Sequence, residues 1–351
     1  MPPFSRRSLL TAALGASLPA AALPRKTLQF PRDHGAHPDF RTEWWYVTGH
    51  AVAPGGRTFG FQVTFFRSRV DSAQGMQSAF AAKQLVFAHA AVTDVQGKKL
   101  LHDQRIAREG FDIATAGTAD TQLKLRDWSL VRERDRYRAR VAAQDFALDF
   151  TFTPTQAVLL QGDQGLSRKG PDAAQASYYY SQPQLKASGT LTLRGERLAV
   201  AGTAWLDHEW SEALMHPDAV GWDWIGMNLH DGSALTAFRL RGRDGGTLWD
   251  GGSFRTAGGT PYIASRGETQ FSPQRTWKSP LSQAVYPVEW MVRTPADFYT
   301  VRAVVDNQEL DSRASTGAIY WEGLSDLIDS NGRQVGRGYL EMTGYAGRLR
   351  L

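Results

Sequence analysis

The chain has 351 residues, 42% of them hydrophobic, with 11 Trp, 17 Phe and 11 Tyr beside 34 Gly and 16 Pro, enough for two full cores in a turn-rich, all-β architecture. It has no Cys, which excludes a disulfide framework, a thiol nucleophile and a thiolate metal site. The formal charge is +5, and Lys and Arg are scattered among acids, which excludes the clustered basic face of a nucleic-acid binder.

Residues 1–22 read as a targeting segment. Ser5-Arg6-Arg7-Ser8-Leu9-Leu10 is a twin-arginine pattern, the stretch up to Ala22 is too short and Ala-rich for a stable membrane span, and Ala20-Ala21-Ala22 offers a small-residue cleavage site. The mature protein is therefore expected in the periplasm or outside a bacterial cell, after transient contact with the twin-arginine (Tat) export machinery. Its charge would be +5 less the two of Arg6 and Arg7, near +3.

After a turn-rich lead-in at 30–38, Glu43-Trp44-Trp45-Tyr46-Val47-Thr48-Gly49-His50 reads as a strand with aromatics on both faces, hence buried on both sides. A turn at Pro54-Gly55-Gly56 joins it to a second strand at 59–67 as a hairpin. Residues 84–94 form a further strand that puts Leu85, Phe87 and His89 on one face. Short strands follow at 128–132, 137–143 and 146–152. The segment 161–183, rich in Gly, Ser and Gln apart from Tyr178-Tyr179-Tyr180, reads as a connection between two halves. Strand patterns restart at 190–193 and 199–210, then at 222–229, 234–241, 247–254, 288–293, 299–305, 318–323 and 339–345. No sustained amphipathic helical period follows residue 22, so the chain is all-β, with expected domains at 23–183 and 184–351. A weak echo between Glu43-Trp44-Trp45 and Glu209-Trp210 points to related halves.

The chemistry concentrates in Gly202-Thr203-Ala204-Trp205-Leu206-Asp207-His208-Glu209-Trp210-Ser211 and in Gly221-Trp222-Asp223-Trp224-Ile225-Gly226, which together hold four Trp, three carboxylates and a His. Strand alternation sends Leu206, His208 and Trp210 to one face and Asp207 and Glu209 to the other. His208 beside an indole, on the wall of a cavity, would be a titratable acid or base in an apolar setting; in a closed core it would be a hydrogen-bonded structural group. His208-Glu209-Trp210-Ser211-Glu212 begins like a zinc-protease motif but has Glu where the second His belongs, so no metal is expected. There is no Gly-x-Ser-x-Gly elbow, and the Gly-rich stretches lie between strands as hairpin turns, not before helices as phosphate cradles. Glu43, His50, Gln62, His89, Asp223 and Glu322 are further polar groups embedded in aromatic strands, and buried charges require partners or a wet pocket.

The sequence resembles the secreted, lipocalin-like family of predicted hydrolases related to hydroxyneurosporene synthase (carotenoid 1,2-hydratase). The resemblance rests on His37-Pro38, Glu43-Trp44-Trp45-Tyr46-Val47-Thr48-Gly49-His50, Phe87-Ala88-His89, Tyr178-Tyr179-Tyr180-Ser181, Asp207-His208-Glu209-Trp210-Ser211, Trp222-Asp223-Trp224, Trp249-Asp250-Gly251-Gly252 and Tyr320-Trp321-Glu322-Gly323. It covers nearly the whole mature chain. It implies two tandem lipocalin-like β-barrels with the ligand site in or between them, no cofactor, and, among distant relatives, cyclases that fold polyenes. His208 and Trp210 match the family's His-x-Trp pair. The hydratases proper are expected to carry an Asp on the strand after the Trp-Asp-Trp block, where 234–241 here has no acid.

The expectation is an exported enzyme that adds water to an apolar isoprenoid or acyl substrate. His208 with Asp207, Glu209 or Glu43 would move protons, His89 and Asp223 being other candidate partners of His208. Trp45, Tyr46, His89, Trp210, Trp222, Asp223 and Trp224 would line the site. Strand parity forbids His208 and Glu209 from lining the same wall unless a bulge intervenes. The competing readings are a non-catalytic periplasmic carrier of lipid or pigment, which the same Trp-rich lining would serve, and a cyclase acting by shape alone.

Overall fold

The computed structural model describes residues 22–349; most of the proposed leader, 1–21, lies outside the described residues. Two short 3-10 turns, Arg32–His34 and Asp71–Ala73, are the only helical pieces among them, and everything else ordered is strand. No described helix is long and apolar enough to cross a membrane.

The first sheet takes β1 (Thr42–Val52), β2 (Thr58–Arg69), β3 (Gln84–Asp94), β4 (Lys99–Arg108), β5 (Ala114–Ala116), β6 (Gln122–Leu125), β7 (Trp128–Glu133), β8 (Arg136–Ala142) and β9 (Phe146–Thr153). It continues through the short β10 (Leu159–Leu160) and β11 (Leu166–Arg168) to the long β12 (Ala176–Leu193) and β13 (Glu196–Ala213). Its main path is β4-β3-β2-β1-β13-β12-β9-β8-β7-β6-β5. Because β5 and β6 fold back against β3 and β4, it curls into a nearly closed barrel. Alternation drives the curl: Tyr137, Ala139 and Val141 of β8 and Phe146, Leu148, Phe150 and Phe152 of β9 are buried inside, while Arg136, Arg138 and Arg140 stay in solvent.

The second sheet is built from β14 (Ala219–Leu229), β15 (Ala234–Gly242), β16 (Thr247–Arg255), β17 (Tyr262–Ile263) and β18 (Gln270–Pro273), then, after a small separate hairpin of β19 (Thr276–Lys278) and β20 (Val285–Pro287), from β21 (Glu289–Arg293), β22 (Phe298–Ala303), β23 (Glu309–Ser312), β24 (Ala318–Ile328) and β25 (Gln334–Met342). It wraps its own core of Ile225, Met227, Trp290, Trp321 and Leu340. A third apolar cluster, with Tyr46, Trp205, Trp224, Leu324 and Tyr339, lies where the two sheets meet. Contact there is close because Gly60 has no side chain. A Cβ at that position would lie 2.8 Å from the Tyr339 hydroxyl and 3.0 Å from Leu324.

The chain passes from one sheet to the other between Ala213 and Ala219, later than the division expected at 183/184. Pro183 reads in sequence as a break because it cannot donate to a ladder. Here it sits inside β12, where the pairing with β13 shifts register between Gln182 and Leu185. Gln184, at φ 57°, turns outward from this bulge; its side-chain amide donates to the Leu229 and Ser233 carbonyls and so ties the sheets together. The segment read as a connection contributes Tyr178, Tyr179 and Tyr180 as strand residues paired to Trp210, Glu209 and His208.

Each sheet has one buried carboxylate placed opposite an Arg on the neighbouring strand. Glu43 near the start of β1 lies opposite Arg67 of β2, and Asp223 within β14 lies opposite Arg239 of β15. Glu43-Trp44-Trp45 and Glu209-Trp210, read in sequence as an echo between halves, lie on adjacent strands of the first sheet.

Candidate active site

β1 and β13 pair with Trp45 opposite His208 and Tyr46 opposite Asp207, so each successive residue pair faces alternate sides of the barrel wall. Inside the barrel lie Trp45, His208 and Trp210, all at most 1% exposed. His208 Nε2 is 2.9 Å from Glu43 Oε1, and His37 Nδ1 is 2.7 Å from the same oxygen. Arg67 Nε donates to Glu43 Oε2 at 2.8 Å, and the rest of its guanidinium donates to Gln84 Oε1 and to the His37 and Phe40 carbonyls. Burial pushes His208 down to about 4, outweighing the pull of Glu43 toward protonation. Desolvation opposes charge on Glu43 as well, but bonds from His208 and His37 hold its carboxyl well below the usual range. A neutral His208 that donates from Nε2 must accept at Nδ1, where the Tyr180 hydroxyl stands 3.1 Å away. His37 stacks on Trp210 at 3.8 Å and places Nε2 2.9 Å from Asp33 Oδ1.

His37, Glu43 and His208 bring three ligand atoms within 4.8 Å of one another. A dication among them would have to replace two short hydrogen bonds and sit beside the Arg67 guanidinium, so the donor set fits an ion-pair network better than a metal centre. Glu43 is the partner of His208, and neither His89 nor Asp223 is.

The other side of the same wall faces the second sheet across a cavity of about 310 Å³. Trp44, Tyr46, Phe66, Phe87, Trp222, Trp224, Phe238 and Tyr320 make its walls aromatic. Gly226 leaves room for this lining, since a Cβ there would fall 2.3 Å from the Trp224 indole. Of the residues expected at the site, Asp207, Glu209, Glu43, Tyr46, His89, Trp222 and Trp224 line the cavity, Glu43 with its carboxylate committed to the barrel network. His208, Trp45 and Trp210 do not, because their strand positions have the opposite parity. Asp223 also turns away: Arg239 and Arg241 hold it at 2.8 and 3.0 Å, and the Tyr345 hydroxyl donates to it at 2.9 Å.

Acids distinguish this cavity. Glu322 of β24 and Glu341 of β25 are directly opposite each other in register, and both line it. Burial raises both, and their mutual repulsion raises Glu322 further, so the pair retains a proton at neutral pH. One Glu322 oxygen and the Tyr46 hydroxyl are buried beside each other, close enough for the hydroxyl to favour the carboxylate, yet neither makes a well-formed hydrogen bond among the described residues. Asp207 is pushed up to about 7 by desolvation, against the lowering effect of bonds from Ser181 Oγ (2.5 Å), Trp205 Nε1 (2.7 Å) and Tyr179 Oη (2.9 Å). Glu209 is instead paired with Lys169 Nζ at 3.0 Å and receives the Ser177 hydroxyl. At the far wall His89 bridges the Tyr320 hydroxyl and Ser315 Oγ, both at 2.8 Å, and burial pushes it down to about 3.

Sequence reasoning noticed Glu322 as an embedded polar group without placing it at the site, and it missed Glu341, Tyr179 and Lys169. The available signal for Glu341 was alternation, as Tyr339, Glu341 and Thr343 share one face of β25 and its continuation.

The profile of a family described as AttH-like matches residues 21–345. The chain belongs to the AttH-like family. A crystal structure assigned as AttH from Nitrosomonas europaea is 50% identical to this AttH-like chain, with a TM-score of 0.87 over 93% of it and 99% of the other. Kievitone hydratase from Nectria haematococca is similar at 15% identity and TM-score 0.66, over 92% and 96% of the two chains. CghA is similar at 12% identity and TM-score 0.54, over 93% and 94%. Identities this low concern the fold that the AttH-like chain shares with them. No curated protein matches the sequence.

Proposed function

We propose that this AttH-like chain is an exported hydratase that adds water to a carbon–carbon double bond of an apolar, isoprenoid-type substrate in the cavity between its sheets. The carrying observation is the Glu322–Glu341 pair, two facing carboxyls that keep a proton at neutral pH inside an aromatic chamber. The protonated Glu322 gives its proton to one alkene carbon, forming a tertiary carbocation at the other. The faces of Trp44, Trp222 and Trp224 stabilise that cation. Water bonds to the cationic carbon and loses a proton to Asp207, whose carboxyl is poised near neutrality. Transfer of that proton back to Glu322 through the cavity restores the starting state, so the net change is one water added. The fold likeness to kievitone hydratase supports this chemistry. The twin-arginine pattern at Arg6 and Arg7, with Ala20-Ala21-Ala22 beyond it, supports action in the periplasm or outside the cell.

The test is turnover of a bacterial isoprenoid and lipid extract in oxygen-18 water. Label in a hydrated terpenoid with wild type, reduced by about 10²–10⁴-fold in Glu322→Gln, is the expected result. Label in a released acid would make the protein an ester hydrolase. An unmodified lipid retained equally by both proteins would make it a carrier.

A further inference from the structure

The cavity wall does not end at the cavity. Along β3 and β4 the residues on this face pair as His89 with Gln104, Phe87 with Ile106 and Leu85 with Arg108. Ile106 lines the cavity and is 39% exposed, so this row leads from the acid chamber out to solvent. At its outer end the Arg108 guanidinium lies 4.0 Å from the ring centroid of Phe111 and 5.4 Å from that of Phe80. The two rings stack on each other at 5.4 Å, yet Phe80 is 72% exposed and Phe111 53%. Met76, 52% exposed, is on the same loop as Phe80.

This patch is organised. Arg108 Nη1 donates to the Ala79 carbonyl, fastening the Phe80 loop to β4. Phe111 sits in the left-handed region at φ 57°, uncommon for a bulky side chain, and the turn that displays it is closed by Gly110 N to Ala114 O at 2.8 Å. Nearby acids are engaged, Asp112 with Lys124 and Glu109 with the Ala116 amide. Arg108 and Lys83 take part in no ion pair among the described residues. Stacked phenylalanines and a Met beside uncompensated cations are the chemistry of an interfacial anchor, in which rings enter the headgroup boundary and cations meet anionic lipid.

We propose that Phe80, Phe111, Met76 and Arg108 dock the protein on an anionic lipid bilayer with the Ile106 mouth of the cavity facing it, so that an apolar ligand passes from the membrane into the cavity. The inference concerns delivery and stands whether the cavity hydrates its ligand or only holds it. The test is flotation of the full chain with vesicles of phosphatidylcholine alone or mixed with phosphatidylglycerol, with no substrate present. The expected result is binding to the mixed vesicles, weakened about tenfold or more in Phe80→Ser/Phe111→Ser while the melting temperature holds. Arg108→Gln should lower binding to mixed vesicles and leave binding to phosphatidylcholine unchanged. Equal flotation of wild type and the double variant would overturn the proposal, as would a wild-type dimer that the double variant dissolves, which would assign the patch to a second copy of the chain.

Discussion

The barrel wall and the sheet that faces it across the cavity carry carboxyls of opposite character. Inside, Glu43 is ionised and surrounded by donors: the Arg67 guanidinium, two imidazole nitrogens and the His37 amide all reach its oxygens. Across the cavity, Glu322 faces another carboxyl, with one oxygen lacking a well-formed hydrogen bond among the described residues. Both are buried glutamates next to a Trp in a strand, so burial and sequence context do not separate them. Donor supply does. A carboxyl given its donors in the folded chain is a structural anion, whereas one denied them keeps a proton that it can give away.

The contrast predicts that the largest loss of stability comes from the satisfied side. Arg67→Met leaves Glu43 buried without its cation, and urea unfolding should show a loss of about 3–5 kcal/mol. The counterpart in the second sheet is more forgiving, since Asp223 has both Arg239 and Arg241. Arg239→Met should therefore cost less than Arg67→Met, and an equal cost would break the parallel between the two clusters.

Next in size is a split between rate and stability. Glu322→Gln should lower kcat by about 10²–10⁴-fold with little change in melting temperature. His208→Ala should do the reverse, destabilising the barrel by removing a donor from Glu43 while the surviving folded fraction keeps near-normal kcat. If His208→Ala abolished turnover in protein of unchanged stability, the inner network would have to be the chemical site.

The two sides should also separate with pH. His208, His34 and His89 are pushed down to about 4, 3 and 3, mainly by burial. Between those values and the usual imidazole range the unfolded chain binds more protons, so stability rises with pH. Asp207, at about 7, and the Glu322–Glu341 pair are shifted upward. Above the usual carboxylate range the folded chain therefore holds the extra protons. Their contribution is fully present below the usual carboxylate range and is lost as pH rises from there, up to about 7 for Asp207 and further for the pair, with a slope of about 1.4 kcal/mol per pH unit for each proton. Asp207→Asn should therefore steepen the rise of melting temperature between about pH 4 and 7, where the loss from Asp207 opposes the gain from the histidines, and leave the fall above about pH 7, which belongs to the Glu322–Glu341 pair, unchanged.

Much of this was legible in the sequence. β3 begins and ends where its alternation indicated, and Leu85, Phe87 and His89 do share the cavity wall. Parity likewise separates His208 from Asp207 and Glu209 in the sequence alone. What parity cannot say is which face is the pocket, because β1 and β13 are buried on both sides, one against the barrel core and one against another sheet. The sequence therefore names His208 and Asp207 together, although the structure puts them on opposite sides of the wall. Glu341 was hidden for a different reason: its significance comes from lying opposite Glu322, a pairing between strands that only the register reveals. The change of sheet after Ala213 was masked by Pro183, whose missing donor a bulge absorbs.

The smallest expected effect tests whether unpartnered groups in the cavity serve the ligand rather than the fold. Tyr179 donates its hydroxyl to Asp207 at 2.9 Å, whereas the Tyr46 hydroxyl lies beside Glu322 without a well-formed hydrogen bond among the described residues. Tyr179→Phe removes a bond that favours the Asp207 carboxylate, so it should lower stability by about 1 kcal/mol and push Asp207 further up. Tyr46→Phe removes only a loose contact with Glu322, and its unfolding free energy should stay within about 1 kcal/mol of wild type or rise. A raised KM with unchanged stability in Tyr46→Phe would show the hydroxyl waiting for substrate, because its partner is then supplied by the ligand and not by the protein. A clear loss of stability would mean that Tyr46 is already bonded in the resting chain, and the division between satisfied barrel and unsatisfied cavity would fail at that residue.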